Sequence, residues 1–433
     1  MSIAVLDLND CNLRLWHEDT AVQSPGYALF QAKEYQFGSP ARASAKLQPR
    51  DINTRYWWQL STETLQPSLG PARHTGDLAH AHLKQLHHEA RSPSEILLAV
   101  SGSMQREQLA LLLGIVQQCP FDAVGLINRS VALGSLYGRG ERLFHLEIQL
   151  HQAVISELTK QDHQIELQRT TPLPGCGLLQ LQERLVELIA AAFVRQTRFD
   201  PRRKADSEQQ LYDALPAALQ ILQNTAETNL EVNGYQARIS ANELRVAGKP
   251  LFDSAHESIG ALRPDDQIIA DPLAALLPGL TATFERIAVL QPDDVRRALQ
   301  AHQGQLIQRE EALSFVTTLP CLDQDITASP IKASESPHAM PPPVKTSPSE
   351  RAATQPTHVL YQHTARPLIA EGTKLAAGRD LYRSSEGWQL RDSTTPAIVN
   401  GTTYHSGQIL ACGDAINTGP DATDAALLIE VLD

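Results

Sequence analysis

Between Leu319 and Pro356 this chain has little with which to build a core. Pro320, Pro330, Pro337, Pro341, Pro342, Pro343, Pro348 and Pro356 fall among serines and threonines, with few apolar residues between them. Such a stretch buries too little surface to offset chain entropy, and proline stiffens it towards extended conformations. Residues 319–356 therefore read as a disordered linker. It separates a large N-terminal region, 1–318, from a small C-terminal one, 357–433. With 433 residues the chain is long enough for two or three domains.

The remaining composition is ordinary for a globular protein, 42% hydrophobic and 20% charged. A formal net charge of −12 argues against non-specific nucleic-acid binding, which needs a basic face, and against an anionic membrane surface. No apolar run is long enough to span a bilayer, so no membrane insertion is expected. Cys11, Cys119, Cys176, Cys321 and Cys412 are scattered, with no C-x-x-C pair. Neither a zinc knuckle nor a disulfide framework is indicated. The chain opens on Ile3-Ala4-Val5-Leu6, a strand-like run with no basic leader ahead of it. A cytoplasmic location is the expectation.

Upstream of the linker, short apolar runs alternate with helical patterns. Ile3 to Leu8, Ile96 to Val100 and Ala123 to Asn128 read as buried strands. Leu109, Leu112, Leu113 and Val116 form a helical stripe, as do Leu178, Leu181, Leu185, Ile189 and Phe193. Strand, helix, strand in this order predicts an α/β architecture.

The stretch Leu126-Ile127-Asn128-Arg129-Ser130-Val131-Ala132-Leu133-Gly134-Ser135-Leu136-Tyr137-Gly138 resembles the Ile-Ile-Asn-Glu-Pro-Thr-Ala-Ala-Ala-Leu-Ala-Tyr-Gly signature of the DnaK-type heat-shock chaperone ATPases, whose fold is actin-like. Four further segments resemble that family in its own order. They are Phe37 to Arg42 with Asn53-Thr54, Gly177 with the Arg184-Leu185-Val186 helix, Ile239 to Leu244, and Gln291 to Val295. The resemblance implies a two-lobed actin-like ATPase fold over 1–318, with a cleft bordered by Asp7, Glu147 and Gly177. It places Asp7, Asn12 and Gly177 at retained cofactor-binding positions.

The same resemblance shows what is missing. The signature glutamate, which faces the terminal phosphate in the family, is Arg129 here. The first phosphate loop, Asp-Leu-Gly-Thr-Thr-Asn in the family, reads Asp7-Leu8-Asn9-Asp10-Cys11-Asn12. Asp7 would still hold magnesium through water, but Asp10 repels a phosphate unless a metal lies between them. The second loop, Asp-Leu-Gly-Gly-Gly-Thr, aligns with His145 to His151, where no glycine remains to let backbone N–H groups reach a phosphate. Leu146, Ile148 and Leu150 alternate there as in an amphipathic strand. The catalytic lysine aligns near Gln59, after Trp57 and Trp58. The adenosine motif aligns with Pro272 to Pro278, without its glycines. A pseudo-ATPase that is not an enzyme and needs no cofactor is the expectation. ATP and magnesium enter under the alternative, a divergent ATPase using Asp7 for the metal and Arg129 for a phosphate.

Other clusters carry weaker chemistry. His80, His82, His87 and His88 lack the i, i+4 spacing a metal site wants and read as a solvated helix face. Asp200-Pro201-Arg202-Arg203-Lys204 reads as a loop leading into a helix, and Gly175-Cys176-Gly177 as a tight turn with no base to activate the thiol.

Residues 357–433 alternate in short apolar stretches broken at Glu371-Gly372, Asn400-Gly401 and Gly413-Asp414, which predicts a small all-β sandwich. Leu375 to Asp380, Val399 to Thr402 and Gln408 to Ile416 resemble segments of forkhead-associated domains. That resemblance makes Arg379, Asn400 and Gly401 candidate ligand-binding residues for a phosphothreonine peptide. The family's Ser-x-x-His loop is shortened to Leu381–Gly387, so phosphopeptide binding is expected to be weak or absent. The expected function is a non-catalytic scaffold or adaptor that engages protein partners and lacks the chaperone's peptide-binding domain. A phosphopeptide-reading signalling adaptor is the further alternative.

Overall fold

A computed structural model of the chain describes residues 2–284, 286–309, 313–322, 356–361, 364–369, 372–374, 380–384, 387–391, 398–399, 402–412, 414–417 and 425–429. It divides into two compact units, Met1–Ser334 and Glu335–Asp433. The N-terminal unit is mixed α/β.

Its first sheet starts with an antiparallel meander of β1 (Ala4–Leu8), β2 (Leu13–His17) and β3 (Thr20–Ser24). On the other side of β1, β4 (Glu95–Val100) and β5 (Asp122–Asn128) add in parallel. A second sheet repeats this plan. There β6 (Arg142–Ile148), β7 (Gln152–Gln161) and β8 (Gln164–Pro174) form the meander, and β9 (Gln267–Ala270) and β10 (Ile287–Val289) add in parallel. Counted within each sheet, both have the order 3-2-1-4-5. Two late strands finish the edges, β11 (Phe315–Val316) beside β5 and β12 (Thr318–Pro320) beside β8.

Parallel neighbours need a crossover, and helices supply it. In the first half these are α1 (Thr75–Glu89) and α2 (Arg106–Val116), with α3 (Arg129–Tyr137) following β5. In the second half α4 (Leu178–Thr197), α5 (Ala205–Leu222) and α6 (Ala241–Ile259) separate β8 from β9, and α7 (Asp294–Ala301) follows β10. Every residue of α3 is buried. The reason is its place: one apolar cluster joins Val5 and Leu97 of the first sheet, Val131 and Leu136 of α3, and Leu143 and Ile165 of the second sheet. Gly134 lets α3 lie close to the second sheet, since a Cβ there would come within 2.7 Å of Leu158 Cδ1 and that side chain would have to shift.

Three expectations need correction. The boundary at 318 lies too early, because Leu319 and Pro320 pair with Ile165 and Gln164, and Cys321 N–H donates to the His163 carbonyl. The histidines of α1 are not all on a solvated face. His82 is wholly buried, bonded to Ser24 Oγ and Tyr56 OH at 2.7 Å each and stacked on Phe37, and His87 is buried as well. Burial holds the His82 imidazole down at about 3. Finally, β6 is buried from Leu143 to Ile148 rather than amphipathic, because its polar residues face a buried charge cluster and not water.

Among the described residues of the C-terminal unit, the regular structure is strand. His358–Tyr361, Thr364–Pro367, Ala425–Ile429, Ala415–Asn417, Ile398–Val399 and Thr402–Thr403 belong to one sheet, and Thr373–Lys374, Asp380–Arg383 and Trp388–Leu390 to another. One apolar cluster draws on both, including Val359, Leu381, Trp388, Ile416 and Leu428. Arg379, Asn400 and Gly401 lie outside the described residues, as does most of 319–356. No helix among the described residues is long and apolar enough to cross a membrane.

Candidate functional site

The C-terminal ends of β1, β5, β6 and β9 converge between the two sheets, the end at which open α/β sheets place their ligands. Each delivers a polar residue. Asp7 comes from β1, Arg129 opens α3 directly after β5, Glu147 stands near the end of β6, and Asp271 follows β9. All are buried.

Arg129 is the hub. Its Nε donates to Asp7 Oδ1 at 2.8 Å and an Nη to Asp271 Oδ1 at 2.8 Å. The other Nη lies 3.8 Å from Glu147 Oε2 and 3.5 Å from His145 Nε2. The fixed fork of the guanidinium suits this task better than an ammonium would. Burial pushes the Asp7 and Glu147 carboxyls above their ordinary values, against the pull of Arg129. At Asp271 burial acts the same way, but Arg129 and His145 outweigh it and hold the carboxyl below its usual range. Burial also works against the charge of Arg129, and the three carboxylates outweigh it, so the guanidinium stays charged.

The backbone donors that a phosphate would need are engaged within the protein. Ile148 N–H donates to Asp271 Oδ2 at 3.2 Å, Leu150 N–H to Asp10 Oδ1 at 2.8 Å, and Cys11 N–H to Asn9 Oδ1 at 2.9 Å. A helix N-terminus is ordinarily a ready anion site. At α4, however, the N–H groups of Leu178 and Leu179 donate to the Gln149 and Leu150 carbonyls at 2.8 and 3.0 Å. Gly177 explains the close approach, since a Cβ there would lie 2.3 Å from the carbonyl carbon of His151 and 2.4 Å from the Gln152 nitrogen. We expect Gly177→Ala to lower stability by about 1–3 kcal/mol, read as a lower urea midpoint at an unchanged slope.

Of the positions expected from sequence, Asp7 and Asn12 line one cavity of about 500 Å³ together with Arg129 and Asp271. Asn12 Nδ2 donates to Gln23 Oε1 at 2.8 Å, a bond within the meander. Gly177 serves packing. The apolar wall of this cavity comes from Leu178, Leu273 and Leu276 among others. Sequence reading missed Asp271 as a member of the site, and it placed Asn9, Asp10 and His145 in the two aligned loops without giving them their partners. For Asp271 the available signal was an acidic residue between an apolar run and Pro272, a strand-to-helix junction.

No protein-family model matches this chain, and no curated protein matches it.

Proposed function

We propose that the N-terminal unit is a two-lobed, actin-like pseudo-ATPase, and that the protein acts as a non-catalytic scaffold or adaptor with a forkhead-associated-like sandwich as its second module. The repeated 3-2-1-4-5 sheet plan, with α3 packed between the sheets, supports the two-lobed reading. Sheets sharing one apolar cluster support the sandwich. Carriage of both modules on one chain would link two partner contacts and raise their effective concentration.

One observation carries the non-catalytic reading. Arg129 occupies the space among Asp7, Glu147 and Asp271, where phosphoryl transfer would need a metal and backbone donors on the developing charge. The test is calorimetric titration of the full chain with Mg-ATP, paired with a phosphate-release assay. Neither binding nor turnover is expected. Turnover proportional to protein concentration and lost in Asp7→Ala would overturn the reading in favour of the divergent ATPase.

A further inference from the structure

A second cavity, about 420 Å³, lies between the sheets, lined by Asp10, the 101–103 turn, Gln149 and Pro172. Its volume falls in the roughly 300–1,000 Å³ range of small-ligand sites. Its chemistry is unlike the neighbouring charge cluster. Trp57 and Trp58 form one wall, and Gln59, Gln105, Gln108, Gln149 and Gln152 supply amides. Ser101 and Ser103 add hydroxyls. Among the described residues no lysine, arginine or histidine lines it, and Asp10 is the one carboxyl that does.

The polar groups are held in place. Gln149 Nε2 donates to Ser101 Oγ at 2.7 Å and to Glu147 Oε1 at 2.9 Å, and Gln152 Nε2 donates to Gln149 Oε1 at 2.8 Å. Trp58 is fixed from two sides. Its carbonyl accepts from Gln108 Nε2 at 3.0 Å, and its ring stacks on His151 with centroids 5.1 Å apart and planes at 16°. His151 is in turn bonded to Thr54 at 3.0 Å. With 36% of its surface exposed, Trp58 is a braced indole that still presents apolar area.

We propose that this cavity binds an uncharged, hydroxyl-rich ring, a mono- or disaccharide, with its apolar face on Trp58 and its hydroxyls on the glutamine and serine groups. A neutral polyol satisfies amides and hydroxyls that both donate and accept, and the indole face attracts the weakly positive C–H edge of a ring. A phosphate or carboxylate would meet Asp10 with no cation to hold it. This inference does not rest on the scaffold reading.

The test is calorimetric titration of the full chain with glucose, galactose, N-acetylglucosamine, maltose, cellobiose and lactose, with glucose 6-phosphate and Mg-ATP as charged comparisons. At least one neutral sugar should bind. Trp58→Ala should weaken it about tenfold, equivalent to 1.4 kcal/mol, and Gln59→Ala by a smaller factor. Both side chains are exposed, so circular dichroism should show both variants folded. Adding cellotetraose and maltotetraose separates the two sources: equal or tighter binding of a tetrasaccharide indicates a glycan end, and exclusion indicates a free sugar. Absence of binding by every neutral sugar, binding indifferent to both variants, or tighter binding of the phosphorylated sugar would overturn the proposal.

Discussion

Arg129→Met will unfold at a markedly lower denaturant concentration than the parent, with a loss of about 3–5 kcal/mol. The side chains are similar in length, so the change removes a charge more than it opens a hole. What it leaves behind is the cause. Asp7, Glu147 and Asp271 would remain buried with no guanidinium among them, and uncompensated buried charge is costly. The carboxyls would respond by taking up protons, so the deficit should shrink as the pH is lowered. Adding Asp7→Asn and Asp271→Asn to Arg129→Met should recover much of the loss, because amides need no counter-charge. Urea denaturation of the parent, the single variant and the triple variant at pH 8 and pH 5 reads these terms. A stability equal to the parent's in Arg129→Met at pH 8 would mean that the cluster contributes nothing through charge.

The second large effect concerns Asp10. Burial pushes its carboxyl from 3.8 up to about 7, against the hydrogen bond it accepts from Leu150 N–H. A folded-state pKa above the unfolded one means that the folded protein keeps a proton the unfolded chain has released. The favourable contribution is thus fully present below about pH 4 and lost as pH rises through about 7. A shift of this size corresponds to about 4 kcal/mol. Asp10→Asn keeps an acceptor for Leu150 and removes the charge. It should match the parent near pH 4 and exceed it by a few kcal/mol at pH 8. His82 works in the opposite sense, since its lowered folded pKa costs stability as pH falls from about 6.5 towards 3. Comparing Asp10→Asn with the parent at each pH cancels that term. Parallel pH profiles for the two proteins would refute the assignment.

The sequence by itself determined the strand-and-helix alternation of the N-terminal unit. Runs such as Ile96 to Val100 are buried on both faces wherever the chain goes, and burial of that kind is written in local residue type. It also showed that neither Asp7–Asn12 nor His145–His151 contains a glycine, the residue that lets a backbone come close to a ligand. What gathers at the ends of those strands was decided only by the tertiary structure. The opposite charge at Arg129 was legible, but its partners lie 122 and 142 residues away along the chain, and no local period connects them. His82 shows the same limit on a single helix. His82 and His88 are six residues apart and His80 and His87 seven, which does not suit a chelate, yet only the packing of α1 against Ser24, Phe37 and Tyr56 puts His82 inside. Local sequence reports how much of an element is buried, whereas the pairing of buried charges depends on which distant strand ends the fold brings together.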